Sequence, residues 1–461
     1  MSEDDIEGLE EECAVFGIKS DEDVFDSIYY GLYALQHRGQ ESAGMAINSN
    51  NKINLYKNTG LVVEVFRDVY MEGKTGIGHV RYSTCGASNL ENAQPLVINY
   101  SEGSFALAHN GNLVNSSELR SILEKKGSIF HTTSDTEIIA QLIVREHLKT
   151  GDFIEGIKNA MNYLKGAYSL AILRDSEIIA VRDPWGLRPL VLGKSDNAYA
   201  IASESCALDA VGMELVRDIK PSEILVVGDK LESHFGKKED PACCMFEYVY
   251  FARADSIING ISVYEARKNL GKILAKEAPV KGADLVIAVP DSGITAAIGY
   301  AQGSGIPYGE GLIKNRYLGR TFIMPKQNDR EKGVKIKLNP IKSELKGKSI
   351  VLIDDSIVRG TTIKRLIKLL RDHGAREVHV RISCPPIRCP CFYGIDMQTY
   401  EEFIAQKKTI KEIEKQIGAD SLAYISIEGL VKAIGCDKDK LCMACLDGNY
   451  PIKEEQTKLY E

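Results

Sequence analysis

GKSIVLIDDSIVRGTTIKRLIKLLRDHG, residues 347–374, decides how the second half of this chain folds. Its first part, SIVLID, is an apolar run of strand length. Its last part, IKRLIKLLRDHG, carries apolar residues at helical spacing and stops at Gly374. Between them stand Asp354, Asp355 and a loop of small and hydroxyl residues, Ser356 to Thr362. ADLVIAVPDSGITAAIGYAQG (283–303) repeats the order of strand, glycine-containing loop and helix, and EVHVRIS (377–383) supplies the next strand. Units of this kind predict a parallel, doubly wound α/β sheet, whose ligands sit at the carboxyl ends of the strands.

The chemistry of that loop follows from its residues. Adjacent carboxylates accept hydrogen bonds from the vicinal hydroxyls of a ribose, or engage Mg²⁺. A loop that leads into a helix N-terminus presents backbone N–H groups and hydroxyls to an anion, here through Ser356, Arg359, Gly360, Thr361 and Thr362. A lone pair of acids would as soon be a helix cap. The full run of apolar strand, two acids and RGTT is more specific. Between the two strand-end loops lies KNRYLGRTFIMPKQNDREKGVKIK (314–337), with eight Lys or Arg against two acids. It reads either as a solvated charged loop or as a lid whose cations close on a phosphorylated substrate and exclude water. The lid is favoured, with Lys314, Arg316, Arg320 and Lys337 as candidates.

Working outward, the polar stretch LESHFGKKEDPACC (231–244) reads as a linker. Before it, from Cys13 to about Asp240, short β-rich runs alternate with a few helical stretches. CAVFGI, YSLAILRD, IIAVRD and AIASES read as strands, IGHVRYST and FALAHNGNL as strands running into loops, and SIYYGLYALQHR as a helix. That pattern predicts a layered α+β domain.

Cys13 follows a run of acids, MSEDDIEGLEEE, that looks removable. Once that leader is cut, Cys13 has a free α-amino group beside its thiol. With a pKa near ~8, the amine can take the thiol proton and act as an internal base. An amide carbonyl under attack needs donors for its oxyanion, and Asn110 with the Gly111 N–H supplies them. A zwitterionic amino acid needs a cation and an anion, and Arg81 and Asp135 fit those roles. By itself a cysteine near a chain start is more often an inert core residue. Here QHRGQESAG (36–44), GIGHVRYST (76–84), AHNGNL (108–113) and TTSDTE (132–137) follow in order.

These motifs resemble the glutaminase domain of the class II amidotransferases, which are N-terminal-nucleophile hydrolases. The likeness extends through DPWGLRPL (183–190) and ASESCAL (202–208). It implies Cys13 as nucleophile, Asn110 and Gly111 as oxyanion hole, and Arg38, Arg81 and Asp135 in the glutamine site. VLIDDSIVRGTT (351–362) resembles the phosphoribosyl pyrophosphate loop of the type I phosphoribosyltransferases, with VPDSG (289–293) on the pyrophosphate side. Joined in this order, and with EYVYFARADS (247–256), YEARKNLG (264–271) and CFYGIDM (391–397), the halves resemble the glutamine phosphoribosylpyrophosphate amidotransferases. The resemblance implies a four-layer αββα N-terminal-nucleophile hydrolase domain and an α/β phosphoribosyltransferase domain with a mainly parallel sheet. It implies a propeptide at 1–12, a glutaminase domain at 13–240, a junction at 241–260, a phosphoribosyltransferase domain at 261–445 and a tail at 446–461. It also implies Mg²⁺ at Asp354 and Asp355, inhibition by purine nucleotides, and a homotetramer. Two positions depart from the family pattern. Arg253-Ala254-Asp255 stands where Arg-Pro-Asp is common, and Gly293 takes the place of a metal-facing Ser.

The chain has 11 cysteines. Cys442 and Cys445 form a CxxC, which by itself suits zinc, a redox pair or an iron–sulfur site. In the cluster-bearing members of the family, cysteines matching Cys244, Cys391, Cys442 and Cys445 hold a 4Fe–4S centre, and four thiolates suit one. A Cys₄ zinc site and unliganded thiols stay open, because Cys243, Cys389 and Cys436 lie close by in sequence. Cys85, Cys206 and Cys384 read as core residues.

Composition narrows the alternatives. A chain of 461 residues is long enough for two domains. A net charge of -7 argues against a nucleic-acid surface over the whole molecule. The acidic N-terminus is unlike a secretory signal, and no uncharged run is apolar enough to span a bilayer. A cytoplasmic protein is expected, with glutamine and phosphoribosyl pyrophosphate as partners and neither membrane nor nucleic acid. A glucosamine-phosphate or asparagine synthetase would lack the 351–362 loop. A non-catalytic phosphoribosyl pyrophosphate sensor would not need Cys13 and its oxyanion pair intact.

Overall fold

The computed structural model describes residues 13–82, 89–315, 338–395, 397 and 399–452. In the first half two antiparallel sheets lie face to face. One has seven strands, in the spatial order Glu214–Asp218, Val191–Lys194, Ala198–Ala202, Ala14–Ser20, Thr75–Arg81, Ser42–Ser49 and Lys52–Thr59. The other has six: Leu231–Phe235, Glu223–Val227, Glu177–Arg182, Gly166–Arg174, Gly103–Leu113 and Leu96–Tyr100.

The strand after Cys13 shows why these layers stack. Its side chains alternate between faces, so Ala14, Phe16 and Ile18 join an outer core with helix Phe25–Ala34. Val15 points the other way, into an inner core shared with Ile77, Ala108, Ala171 and Ile201. Helices Asp135–Thr150 and Phe153–Met161 cover the outer face of the second sheet. The order helix, sheet, sheet, helix is the expected αββα sandwich.

The second half is built on a parallel sheet ordered Leu285–Ala288, Ser349–Asp354, Glu377–Ile382 and Ser421–Tyr424. Beyond Leu285–Ala288, Tyr308 makes a parallel bridge to Val286. The chain therefore leaves Leu285–Ala288 toward one side and returns on the other, at Ser349–Asp354. That reversal is the switch point of a doubly wound sheet, and it opens a crevice between the two carboxyl ends.

Two local readings change. Leu231–Phe235 is a strand paired with Glu223–Val227, not part of a linker. Its side chains are almost all exposed, as suits a polar edge strand. Gly103–Leu113 is one continuous strand, so HNGNL does not leave the sheet. It stays paired because Gly166–Arg174 runs beside it down to the Leu113–Gly166 pair.

The halves meet along a seam. Cys243–Cys244 pairs in parallel with Leu441–Cys442, which brings the end of the chain back to the junction. A small core of Ala167, Leu187, Ala242, Tyr393, Cys442 and Ala444 draws on the first half, the junction and the C-terminal region together. Among the described residues no helix is long and apolar enough to cross a membrane.

Candidate active sites

Cys13 is buried immediately before its strand, and its Sγ lies 3.3 Å from Tyr82 O. Arg38 was expected in the glutamine site. Its guanidinium is instead buried and bound to carboxylates, with Nη1 donating to Glu204 Oε1 at 2.6 Å and Nη2 to Glu247 Oε1 at 2.7 Å. Its Nε donates to Cys13 O at 3.3 Å. Arg38 therefore holds the backbone of Cys13 from behind. Glu204 also accepts from His37 Nε2, Ser256 Oγ and Arg253 N, at 2.7, 2.6 and 2.8 Å. Burial would raise its pKa, but His37 and Arg38 hold it far below the usual carboxylate range.

Asn110 and Gly111 sit on the strand Gly103–Leu113. Asn110 Nδ2 lies 3.5 Å from Ser203 Oγ, which also accepts the N–H of Val15 at 2.9 Å. Asn110 is thus linked through one hydroxyl to the strand that Cys13 begins. Gly111 has φ of 146°, and a Cβ there would lie 2.0 Å from Ala167 O, so only glycine fits. Asp135 opens helix Asp135–Thr150 and accepts the Leu113 N–H at 3.0 Å, with His109 Nδ1 at 3.4 Å. Burial would raise its pKa, but His109 and the backbone donors bring it below the usual value. Arg81 is buried at the end of Thr75–Arg81. Lys57, on the edge strand Lys52–Thr59 one strand beyond Ser42–Ser49, is held at a pKa of about 8 by burial and by Arg81. Cations such as Arg81 and Lys57 and a carboxylate such as Asp135 are the groups that a zwitterionic substrate requires.

The acid pair stands at the switch-point crevice. Asp355 Oδ1 accepts from Ser356 Oγ at 2.6 Å, and Oδ2 accepts a short bond from Ser292 Oγ. Burial, then the neighbouring Asp355, pushes Asp354 well above the usual range, and burial also raises Asp355. Two adjoining buried carboxylates with raised pKa favour a cation or a proton, which fits Mg²⁺. Gly293 does not fit as a metal ligand. It has no side chain, and a Cβ would lie 2.7 Å from Ile353 O and 2.9 Å from Val289 O. The hydroxyl on that loop comes from Ser292, which motif comparison passed over.

Gly360 caps helix Thr361–Asp372 in the left-handed region, at φ of 80°. Thr362 Oγ1 is buried without a hydrogen-bond partner among the described residues. Arg359 reaches Glu402 at 3.4 Å. Lys314 donates to Asp291 Oδ2 at 2.7 Å, and both line a cavity of about 430 Å³ with Tyr308, Glu310 and Asn339. Arg316, Arg320 and Lys337 lie outside the described residues, as do the leader at 1–12 and Cys85.

Cys244, Cys391, Cys442 and Cys445 line one small cavity of about 20 Å³, together with Arg188, Tyr393 and Tyr450. Cys243, Cys389 and Cys436 do not line it. The four-thiol donor set fits a cluster or a zinc ion. Among the described residues no group of three or more His, Cys, Asp or Glu stands in metal-holding geometry. Cys206 and Cys384 are buried, as a core role requires.

Comparison with known proteins agrees with both halves. A glutamine amidotransferase domain model matches residues 79–210, and a phosphoribosyl transferase domain model matches residues 260–416. An amidophosphoribosyltransferase from Methanocaldococcus jannaschii is 55% identical, over 97% of this chain and 99% of its own. One from Bacillus subtilis is 50% identical over 97% and 96%. A solved B. subtilis glutamine phosphoribosylpyrophosphate amidotransferase complexed with ADP and GMP superposes with a TM-score of 0.90 at 49% identity, covering 97% of this chain and 98% of that one. The chain belongs to the amidophosphoribosyltransferase family.

Proposed function

We propose that this chain converts glutamine, water and phosphoribosyl pyrophosphate to 5-phosphoribosylamine, glutamate and pyrophosphate, the first committed step of de novo purine synthesis. One observation carries this reading. Asn110, beside Gly111, is linked through the Ser203 hydroxyl to the strand that follows Cys13, and in the same chain a buried acid pair lies at the switch point of a parallel sheet.

With residues 1–12 removed, the α-amine of Cys13 takes the thiol proton and the sulfur attacks the glutamine amide carbon. Asn110 Nδ2 and the Gly111 N–H receive the oxyanion. Arg81 and Asp135 hold the substrate's carboxylate and ammonium, and Arg38 fixes the position of Cys13. Collapse of the tetrahedral species expels ammonia, and water then frees glutamate from the thioester. Ammonia attacks C1 of the ribose, and the bond from C1 to the pyrophosphate oxygen breaks. Asp354 and Asp355 orient the ribose hydroxyls, Ser356 and Arg359 to Thr362 take the 5′-phosphate, and Lys314, Arg316, Arg320 and Lys337 act on the pyrophosphate side. Mg²⁺, when bound at the acid pair, neutralises charge on the pyrophosphate.

Cys244, Cys391, Cys442 and Cys445 would hold a 4Fe–4S cluster, which ties the junction to the C-terminal region. Domain limits of 13–240, 241–260, 261–445 and 446–461, a cytoplasmic location, a homotetramer, and inhibition by purine nucleotides complete the proposal. The last is supported by the nucleotides bound to the B. subtilis relative.

Two variants test the division of labour. Cys13→Ala should abolish glutamine use and keep activity with free ammonia. Asp354→Asn should damage both routes. Loss of the ammonia route in Cys13→Ala, in a protein that still binds phosphoribosyl pyrophosphate, would overturn the scheme.

A further inference from the structure

CFYG (391–394) begins with one of the four clustered cysteines and ends against the glutaminase strand. Three contacts join it to the first half. Asn112 Nδ2 donates to Phe392 O at 2.9 Å. Arg188 Nε donates to Tyr393 O at 3.1 Å and Nη2 to the same oxygen at 2.5 Å. Gly394 has φ of 106°, and a Cβ built on it would lie 3.1 Å from Arg188 Nη2 and 3.3 Å from the carbonyl carbon of Gly111. The segment is braced at its other end as well. Cys391 N donates to Met397 O at 2.8 Å, and Tyr393 N lies 3.4 Å from Cys391 Sγ.

Arg188 is itself held rigidly. Its carbonyl accepts from Arg182 Nε at 2.8 Å, and the Asp183 carboxylate pins the turn before it through the N–H groups of Trp185 and Leu187. Its guanidinium also lies 3.6 Å from Glu247, the carboxylate that binds Arg38 behind Cys13. Arg188 thus binds the 391–394 segment, lines the four-cysteine cavity and connects through Glu247 and Arg38 to the backbone of Cys13.

We propose that Cys391–Gly394 is a strut that positions the Gly111 N–H for the oxyanion, so that Asn112, Arg188 and Gly394 are positioning residues for glutamine hydrolysis. This rests on the reading of Asn110 and Gly111 as the oxyanion hole. An oxyanion donor is worth about 10²–10³ in rate, and displacing it by about 1 Å forfeits much of that. The strut acts only after sulfur attacks carbon. It therefore affects turnover of glutamine and leaves glutamine binding, the thiol itself and the phosphoribosyl site unchanged.

Asn112→Ala removes one contact without disturbing a buried charge. Asn112→Gln keeps the amide donor and serves as the conservative control. For the mature enzyme we expect Asn112→Ala to lower kcat for glutamine hydrolysis by about 10-fold or more, with KM within about 2-fold. Ammonia-dependent synthesis should stay unchanged, and Asn112→Gln should recover part of the loss. Alkylation of Cys13 by iodoacetamide needs no oxyanion hole, so its rate, followed by mass spectrometry of the Cys13 peptide, should match the parent's. Gly394→Ala should give the same pattern more strongly if it folds. Parental kcat in Asn112→Ala would overturn the strut, as would a loss of kcat with equally slowed alkylation, which signals general disruption. Asn110→Ala separates the two levels. If it turns glutamine over at the parental rate, the oxyanion assignment fails, whatever the Asn112 variants do.

Discussion

Glu204 shows at a single residue how the first site is held. It is fully buried, and its carboxylate is shared among His37, Arg38, Ser256 and the Arg253 backbone. Removing one member of such a set leaves uncompensated buried charge. Glu204→Gln should therefore cost about 3 kcal/mol in urea unfolding. The pH dependence has a definite sign. A carboxylate whose folded pKa lies below its unfolded value of about 4.3 stabilises above that value, and the benefit is lost as pH falls toward the folded pKa. The variant should thus lose part of the parent's acid-limb destabilisation, and an unchanged limb would contradict the assignment. Cys13, Asn110, Gly111 and Asp135 stand out as candidates in the sequence because local motifs surround them. Glu204 and Glu247 were not singled out, because what identifies them is contact with Arg38 across 166 and 209 positions. Ser292 was missed for a related reason: its partner Asp355 lies 63 positions away.

At the scale of the element, the loop after Ser349–Asp354 carries an electrostatic cost in the unliganded fold. Its two acids are buried beside each other and their pKa values are raised. A raised carboxyl favours the protonated fold. The contribution is fully present below the unfolded pKa of about 3.9 and is lost as pH rises through the folded values. Without Mg²⁺ or substrate, Asp354→Asn should melt higher than the parent at about pH 7.5, and the gap should close near pH 4. Thermal scans at both pH values, repeated with Mg²⁺ and phosphoribosyl pyrophosphate, would check this. A less stable variant at neutral pH would contradict it. This loop was readable because strand, acids and helix are contiguous in sequence. Strand Gly103–Leu113 looks shorter from sequence because Asn and Gly signal turns locally. Its partner Gly166–Arg174, more than 50 residues away, keeps it extended.

Over the whole molecule, the cysteines are the test of assembly. Two belong to a CxxC and two come from remote segments, yet all four line one cavity at the seam. The flanking residues single out, among seven neighbouring cysteines, the four that line this cavity. Spacing by itself could not, because the parallel pairing of Cys243–Cys244 with Leu441–Cys442 is a tertiary event. Protein prepared without oxygen should hold about four iron and four sulfide per chain. Cys445→Ser should lose both and become easier to unfold. One zinc and no sulfide would replace the cluster with a zinc site.

The central claim is that the two sites work as one enzyme. The direct measurement is product stoichiometry from the mature protein supplied with glutamine, phosphoribosyl pyrophosphate and Mg²⁺. The account predicts glutamate and pyrophosphate in equal amounts, each dependent on the presence of the other substrate. Glutamate without pyrophosphate would contradict it and leave a glutaminase with a different acceptor.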